Sequence, residues 1–256
     1  MTVPVIVLAG ERPGGNPLAQ ALGKAAGILV DVAGRSCVAR VLDALQNASS
    51  ISGGVIVGPQ PEVAELPEMR QLLDTHQLQW LAPAMGPAES AQLALENTAE
   101  RPVLITSADH ALLTPEIIDD FCARALASSA DFVVGLVPHP VVASAFPQSK
   151  RTLLKFADGT YCGSNLFMVR STAGDRVVDF WRTMQSHRKR PWRMATELGI
   201  FTLIRYVIGI LPLAAALQRI STLAGCSAGY VELPIARAAV DVDSLADHAL
   251  AEQVLS

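Results

Sequence analysis

The sequence predicts an α/β fold, a three-layer α/β/α sandwich in which a mainly parallel mixed sheet lies between two layers of helices. The first observation is a set of short apolar runs rich in Val and Ile, of the kind buried on both faces of a parallel sheet. The second is that these runs alternate with segments of helical periodicity. The third is the length of 256 residues with no internal repeat or clear linker, which fits one domain over 1–256.

The elements follow from apolar periodicity and from turn and cap residues. The predicted strands are Val3–Leu8, Val55–Val57, Gln77–Leu81, Val103–Thr106, Asp131–Val137, Arg151–Phe156, Asn165–Val169, Val231–Leu233 and Ala238–Val242. The predicted helices are Ser36–Leu45, Ala88–Glu96, one that Thr114 caps and Pro115 opens, Asp175–His187, 194–210, 213–224 and Ser244–Leu255. The helices near 188–225 are interpreted as an insertion into the domain.

Composition narrows the class of protein. The chain is 50% hydrophobic and 17% charged, with a net charge of −4, so nucleic acid is not an expected partner. The N-terminal run lacks a basic region and is only strand length, so we expect no signal peptide. The best candidate for a membrane span, 198–217, is interrupted by Arg205 and would be kinked at Pro212, and its charge-free part, Tyr206–Leu217, is too short to span a bilayer. Four cysteines without a CxxC pair indicate reduced, mostly buried thiols in a cytoplasmic protein.

A glycine-rich loop follows the first strand, from Gly10 to Asn16. Glycines let backbone N–H groups approach phosphates, and Arg12 adds charged donors. The loop has neither the Gly-Lys-Ser/Thr of a Walker A loop nor a GxGxxG fingerprint. The residues alone leave a plain turn and a phosphate site open.

The continuation of this loop resembles a known family. Leu8-Ala9-Gly10, then Arg12, then Val30–Ser36 leading into a helix resemble the MobA-like nucleotidyltransferases, relatives of molybdenum cofactor guanylyltransferase and of sugar- and polyol-phosphate cytidylyltransferases. The resemblance implies a Rossmann-like, GT-A-type fold and catalytic roles for Arg12 and Lys24. It implies nucleotide contacts from Leu8, Ala9, Gly10, Glu11, Gly14, Gly15, Ser90 and Ser107.

Two positions depart from the family pattern. Glu11 stands where the family has a second glycine, and Gly27 stands where it has the lysine that contacts nucleotide phosphates. Lys24 lies one helical turn earlier and is the expected substitute, and a surface lysine without a role is the alternative.

Acidic residues point to a metal. Asp109 follows a buried strand, at the sheet edge where ligands of open α/β sheets bind. Its segment resembles the family's Asp-x-Pro-Leu-Leu-Thr-Pro, whose Asp holds the catalytic metal. Asp241 and Asp243 resemble a second acidic motif of the family, and alternation along a strand would point both the same way. The resemblance implies that Asp109, Asp241 and Asp243 bind Mg²⁺. A turn role for Asp109 and a helix-cap role for Asp243 stay open.

The segment from Lys150 to Phe167 resembles the family's acceptor region. The resemblance implies acceptor contacts from Arg151, Lys155, Gly163 and Asn165, with the two cations on an acceptor phosphate. Solvated surface charge is the alternative for Arg151 and Lys155.

The resemblance implies a Mg²⁺-dependent enzyme that transfers a nucleoside monophosphate from CTP or GTP to a polyol, sugar or lipid-headgroup phosphate and releases pyrophosphate. A molybdopterin-type guanylyltransferase and a non-catalytic nucleotide-binding protein are the alternatives.

The apolar insertion is preceded by four basic residues, Arg188, Lys189, Arg190 and Arg193. Residues 188–217 could touch the inner membrane surface, close the acceptor pocket or form a homodimer, and the sequence leaves all three open.

Overall fold

A computed structural model describes residues 1–11, 14–187 and 197–256. The strands are β1 (Val3–Leu8), β2 (Asp31–Val32), β3 (Arg35–Ser36), β4 (Ile51–Val57), β5 (Gln79–Leu81), β6 (Val103–Ser107), β7 (Phe132–Pro138), β8 (Leu154–Phe156), β9 (Gly159–Val169) and β10 (Ala228–Glu232). The helices are α1 (Pro17–Ala21), α2 (Cys37–Asn47), α3 (Pro61–Ala64), α4 (Pro67–His76), α5 (Pro87–Asn97), α6 (Pro115–Ala127), α7 (His139–Ala145), α8 (Asp175–Ser186), α9 (Ile200–Val207), α10 (Leu213–Ala224) and α11 (Leu245–Leu255).

The main sheet runs in the order β10-β7-β9-β6-β1-β4-β5, with β8 paired to β9. Strands β1, β4, β5 and β6 are mutually parallel, as are β7 and β10, and β9 lies antiparallel between β6 and β7. The predicted mainly parallel, mixed sheet is therefore confirmed. Because β1 and β6 are neighbours and parallel, their carboxyl ends lie side by side at one edge.

Helices cover both faces of this sheet. Alternate residues of β1 face opposite ways: Val5 and Val7 join the cluster that contains α2 and α6, whereas Ile6 joins the one that contains α5 and α8. All three are at most 1% exposed. Burial on both faces explains the continuous apolar runs from which the three-layer sandwich was predicted.

Most predicted elements are present, and the Thr114 cap is confirmed because its hydroxyl accepts from the Ile117 N–H. The predicted strand Ala238–Val242 is wrong. A short 3₁₀ helix occupies Ala236–Ala239, and an extended segment follows it. In that segment the Val242 N–H donates to the Asp109 carbonyl at 3.0 Å, a bond to a loop and not to a strand.

The described part of the predicted insertion consists of α9 and α10, and the basic run 188–193 lies outside the described residues. Helix α10 packs into the molecule through Leu213, and the Asp158 carboxylate accepts from the Leu213 N–H at 2.9 Å. Among the described helices, none is long and apolar enough to cross a bilayer.

Candidate functional site

Two loops meet at the carboxyl ends of β1 and β6. The Ala108 N–H donates to the Leu8 carbonyl at 2.9 Å, which carries the pairing of the strands into the loops. Ala9 is buried, whereas Gly10, Gly14 and Gly15 are exposed, and the last two have positive φ. The expected nucleotide loop thus lies beside the segment that carries Ser107 and Asp109.

The two departures from the family pattern contact each other. The Glu11 carboxylate accepts a hydrogen bond from the Gly27 N–H. A Cβ at Gly27 would lie 2.1 Å from the Asn16 side-chain nitrogen and 3.2 Å from Glu11. Asn16 is itself fixed, because its side chain caps α1 by accepting from two backbone N–H groups. Position 27 therefore has no room for a side chain in this loop conformation.

Lys24 forms an ion pair. Its ammonium group lies 2.5 Å from the Asp31 carboxylate, and this contact raises the pKa of Lys24. Asp31 is also held by α11, because His248 Nε2 lies 2.7 Å from the Asp31 carbonyl oxygen. Lys24 is thus charged and partnered in this structure. Arg12, the other expected catalytic cation, lies outside the described residues.

Asp109 has an unusual environment. Burial raises its pKa to about 6, the charges of Asp241 and Asp243 add to the rise, and the nearby Ser107 hydroxyl opposes it. Ser107 does not reach hydrogen-bond geometry: its Oγ and Asp109 Oδ1 are both buried without a partner among the described residues. A buried carboxylate oxygen without a donor is costly unless something else occupies its lone pairs.

The segment 240–243 brings the other two acidic residues to Asp109. Val240 and Val242 are buried, Asp241 is half-buried and Asp243 is exposed. Because the Val242 N–H is bound to the Asp109 carbonyl, the two carboxylates flank the point of attachment. The inferred alternation of the side chains is correct although the strand is not. Ser244, and not Asp243, caps α11.

Arg151 is an internal ion-pair residue. Its side chain is 7% exposed and contacts the Asp241 carboxylate at 2.6 Å, the Asp247 carboxylate and the Ser149 hydroxyl. These partners take up most of its donors. The sequence does not predict this role, because nothing local to Arg151 signals partners some ninety residues away.

Asn165 projects from a distortion in β9. Three residues of β9, 164–166, face the single Gly135 of β7, and Asn165 has φ of 53°. Its amide nitrogen lies 3.5 Å from Asp241 Oδ2. Bulges and left-handed residues of this kind occur where a strand re-aims a side chain toward a site.

The remaining expected site residues form none of the hydrogen bonds of this cluster in the described part of the chain. Lys155 and Gly163 are exposed on the β8–β9 hairpin. Ser90 is buried in α5, and its hydroxyl accepts from the Ala84 N–H at 3.0 Å, so it holds the preceding loop and does not cap the helix. The N-terminus of α5 is instead covered by Gln185, which accepts from the Ala88 N–H at 3.2 Å.

The cluster of Asp109, Asp241 and Asp243 can be compared with the coordination that a divalent cation requires. Among the described residues, no three acidic, His or Cys side chains are gathered closely enough to coordinate a single ion. The donor chemistry nevertheless fits Mg²⁺, which prefers carboxylate oxygens and keeps several waters. Asp109 Oδ1 is buried without a hydrogen-bond partner among the described residues, so its lone pairs are available to a cation.

Comparisons with known proteins first identify the fold class to which this protein belongs. A CMP:2-keto-3-deoxy-manno-octonic acid synthetase complexed with CTP superposes over 98% of both chains with a TM-score of 0.59 and 10% identity. At that identity the likeness shows the fold alone, which is the Rossmann-like nucleotide-sugar transferase fold of nucleotidyltransferases.

The family follows from closer matches. The MobA-like NTP transferase domain matches residues 5–166, and the chain belongs to that family. A hypothetical transferase from Thermus thermophilus is 30% identical, with a TM-score of 0.80 over 97% of this chain and 100% of that one. A 2-C-methyl-D-erythritol 4-phosphate cytidylyltransferase from Prochlorococcus marinus is 27% identical over 202 residues, 76% of this chain and 84% of the relative.

Proposed function

We propose that the protein is a Mg²⁺-dependent nucleotidyltransferase that transfers a nucleoside monophosphate from an NTP to a phosphorylated small molecule. A phosphate oxygen of the acceptor attacks the α-phosphorus, the new P–O bond forms, and the bond to the β-phosphate breaks to release pyrophosphate. The carrying observation is that Asp241 and Asp243 flank a backbone bond to Asp109, beside the β1 loop. Such chemistry depends on positioning and on neutralising phosphate charge.

Asp109, Asp241 and Asp243 would hold the metal. Mg²⁺ bound there would neutralise phosphate charge and orient the reacting groups. Two contacts within the protein hold these groups: Arg151 forms an ion pair with the Asp241 carboxylate, and the Val242 N–H attaches the segment to the Asp109 carbonyl. The loop of Gly10, Gly14 and Gly15 offers exposed backbone for the triphosphate.

The donor in this proposal is CTP, with GTP as the alternative. CTP is favoured because the curated relative is a cytidylyltransferase and one structural neighbour was solved in complex with CTP. On the acceptor side, Lys155, Gly163 and Asn165 would contact a polyol, sugar or lipid-headgroup phosphate. Arg151, first expected there, is assigned to positioning Asp241, since protein groups occupy its donors.

The Glu11–Gly27 contact favours a second candidate, a nucleotide-binding protein without turnover. At this loop the chain carries an additional carboxylate and lacks the lysine that the family resemblance implies. Both changes make the loop less favourable for a triphosphate.

Pyrophosphate release separates the two candidates. The purified protein is incubated with each NTP, Mg²⁺ and a panel of phosphorylated alcohols, alongside Asp109→Ala. Release that requires an acceptor and disappears in the variant supports the enzyme. Tight NTP binding without release under any acceptor contradicts the enzyme and supports the binding protein.

A further inference from the structure

Helix α9 presents its apolar face to solvent. On a helix, residues one, four, seven and eight positions after Ile200 share its side. The exposed fractions on that side are 54% for Ile200, 80% for Phe201, 48% for Ile204, 74% for Val207 and 60% for Ile208. We call these five residues the α9 face. Contiguous exposed apolar side chains are uncommon on monomers and mark interaction surfaces.

The opposite side of α9 is anchored, which fixes this orientation. Tyr206 packs edge-on against Phe156 of β8, with ring centroids 5.6 Å apart. Leu203 and Thr202 on the same side are half-buried. The backbone after α9 is attached as well, because the Ala157 N–H donates to the Leu211 carbonyl at 2.9 Å. The helix therefore rests on the β8–β9 hairpin with the α9 face turned outward.

Positive charge is concentrated in the sequence around this helix. Residues 182–205 contain six Lys or Arg and a single acidic residue, whereas the whole chain carries a net charge of −4. Within the described residues, Arg205 is exposed on α9 next to the α9 face, and Lys155 is exposed on the supporting hairpin. An apolar helix face bordered by cations is the pattern of helices that lie in the interface of an anionic bilayer.

We propose that the α9 face docks on an anionic lipid surface. Its apolar side chains enter the boundary between headgroups and acyl chains, and Arg205 reaches the headgroups through its long stem. A second copy of the chain would bury the same apolar face, but it would bring the cations of two molecules together. The docking does not depend on the proposed catalytic activity, and it needs no nucleotide.

The test is co-sedimentation of the full chain, without nucleotide, with vesicles of phosphatidylcholine alone or of phosphatidylcholine mixed with phosphatidylglycerol. Three proteins are compared: wild type, Ile204→Glu combined with Val207→Glu, and Leu245→Glu. Leu245 is 57% exposed on α11 and is the matched control. Thermal unfolding of each protein checks that it is folded, since the three side chains are exposed.

Wild type and Leu245→Glu should pellet with the anionic vesicles and much less with phosphatidylcholine alone. The double variant should bind the anionic vesicles at least about tenfold more weakly than wild type. Equal pelleting of all three proteins, or no pelleting of wild type, overturns the proposal. So does a wild-type dimer in sedimentation velocity that becomes a monomer in the double variant without vesicle binding, because that result identifies a second copy as the partner.

Discussion

Among single residues, Asp109 combines a position proposed to bind a metal with an energetic cost to folding. Its pKa is raised to about 6 from the ordinary 3.8, so the folded protein holds the proton more tightly than the unfolded chain does. Ionising Asp109 therefore opposes folding above about pH 6, and this cost disappears as the pH falls toward the ordinary value. Such a cost is common where an active site holds an unpartnered group.

The substitution Asp109→Asn should stabilise the metal-free protein near neutral pH. We expect a higher Tm than wild type at about pH 8, by about 2–4 °C for each kcal/mol recovered, and a smaller difference at about pH 5. Calorimetry at the two pH values measures this. A variant whose Tm is lower than that of wild type by the same amount at both values would contradict the assigned environment of Asp109.

Substitutions of Arg151 and Lys155 can be compared to distinguish a residue that positions Asp241 from a residue that binds the acceptor. Arg151→Met leaves the Asp241 and Asp247 carboxylates without their partner, so we expect a loss of about 2–3 kcal/mol in unfolding free energy. It should lower kcat while the KM for the acceptor changes little, and Arg151→Lys should recover part of kcat.

Lys155→Met should behave in the opposite way. Because Lys155 is exposed, its loss should leave Tm nearly unchanged and raise the acceptor KM. Steady-state kinetics with a varied acceptor measure both variants. A raised acceptor KM with an unchanged kcat in Arg151→Met would return Arg151 to the acceptor site.

At the scale of elements, the β1 loop depends on the fit between Glu11, Asn16 and Gly27. A side chain at position 27 must displace Asn16 from the cap of α1, so Gly27→Ala should cost about 1–2 kcal/mol. Gly163→Ala is the control, because a Cβ there meets nothing within 4 Å. Urea unfolding compares them. An equal, small effect of both substitutions would mean that the loop is not closed on Gly27.

The elements also show what the sequence could predict. The buried strands were found because a run of Val and Ile is a local signal, as in β1 and β6. Helix α1 was missed although Asn16 followed by Pro17 is a start signal, since only five residues follow. The part of the predicted strand Ala238–Val242 after Ala239 was correct in being extended backbone, whereas Ala238 and Ala239 belong to a 3₁₀ helix. The hydrogen-bond partner of the extended part was not predictable, because the Asp109 carbonyl lies far away in sequence.

The candidate site also has some features that the sequence predicts and others that it does not. The positions of Asp109 and of the acidic residues 241 and 243 follow from strand ends and side-chain alternation, which the sequence carries. The ion pairs of Arg151 and Lys24 and the contact of Glu11 with Gly27 depend on tertiary placement. Because of these contacts, the side chains of Arg151, Lys24 and Glu11 have protein partners that the sequence pattern does not predict.

At the scale of the whole molecule, the chain has the fold and family of a nucleotidyltransferase and an apolar helix face turned outward beside the candidate acceptor hairpin. If both proposals hold, docking on a lipid surface would bring headgroup phosphates next to Lys155, where the acceptor is proposed to bind. The two proposals remain separable, since vesicle binding is measured without nucleotide and turnover is measured with water-soluble acceptors.

Transfer of a nucleotidyl group at this site is tested by following the α-phosphate. CTP radiolabelled at that phosphorus is incubated with Mg²⁺, the protein and a phosphorylated alcohol, and the label is located by thin-layer chromatography. We expect label in a diphosphate-linked product, with unlabelled pyrophosphate and with no product from Asp109→Ala. Label that remains in CTP for every acceptor, or a product that forms equally in Asp109→Ala, would contradict nucleotidyl transfer at this site.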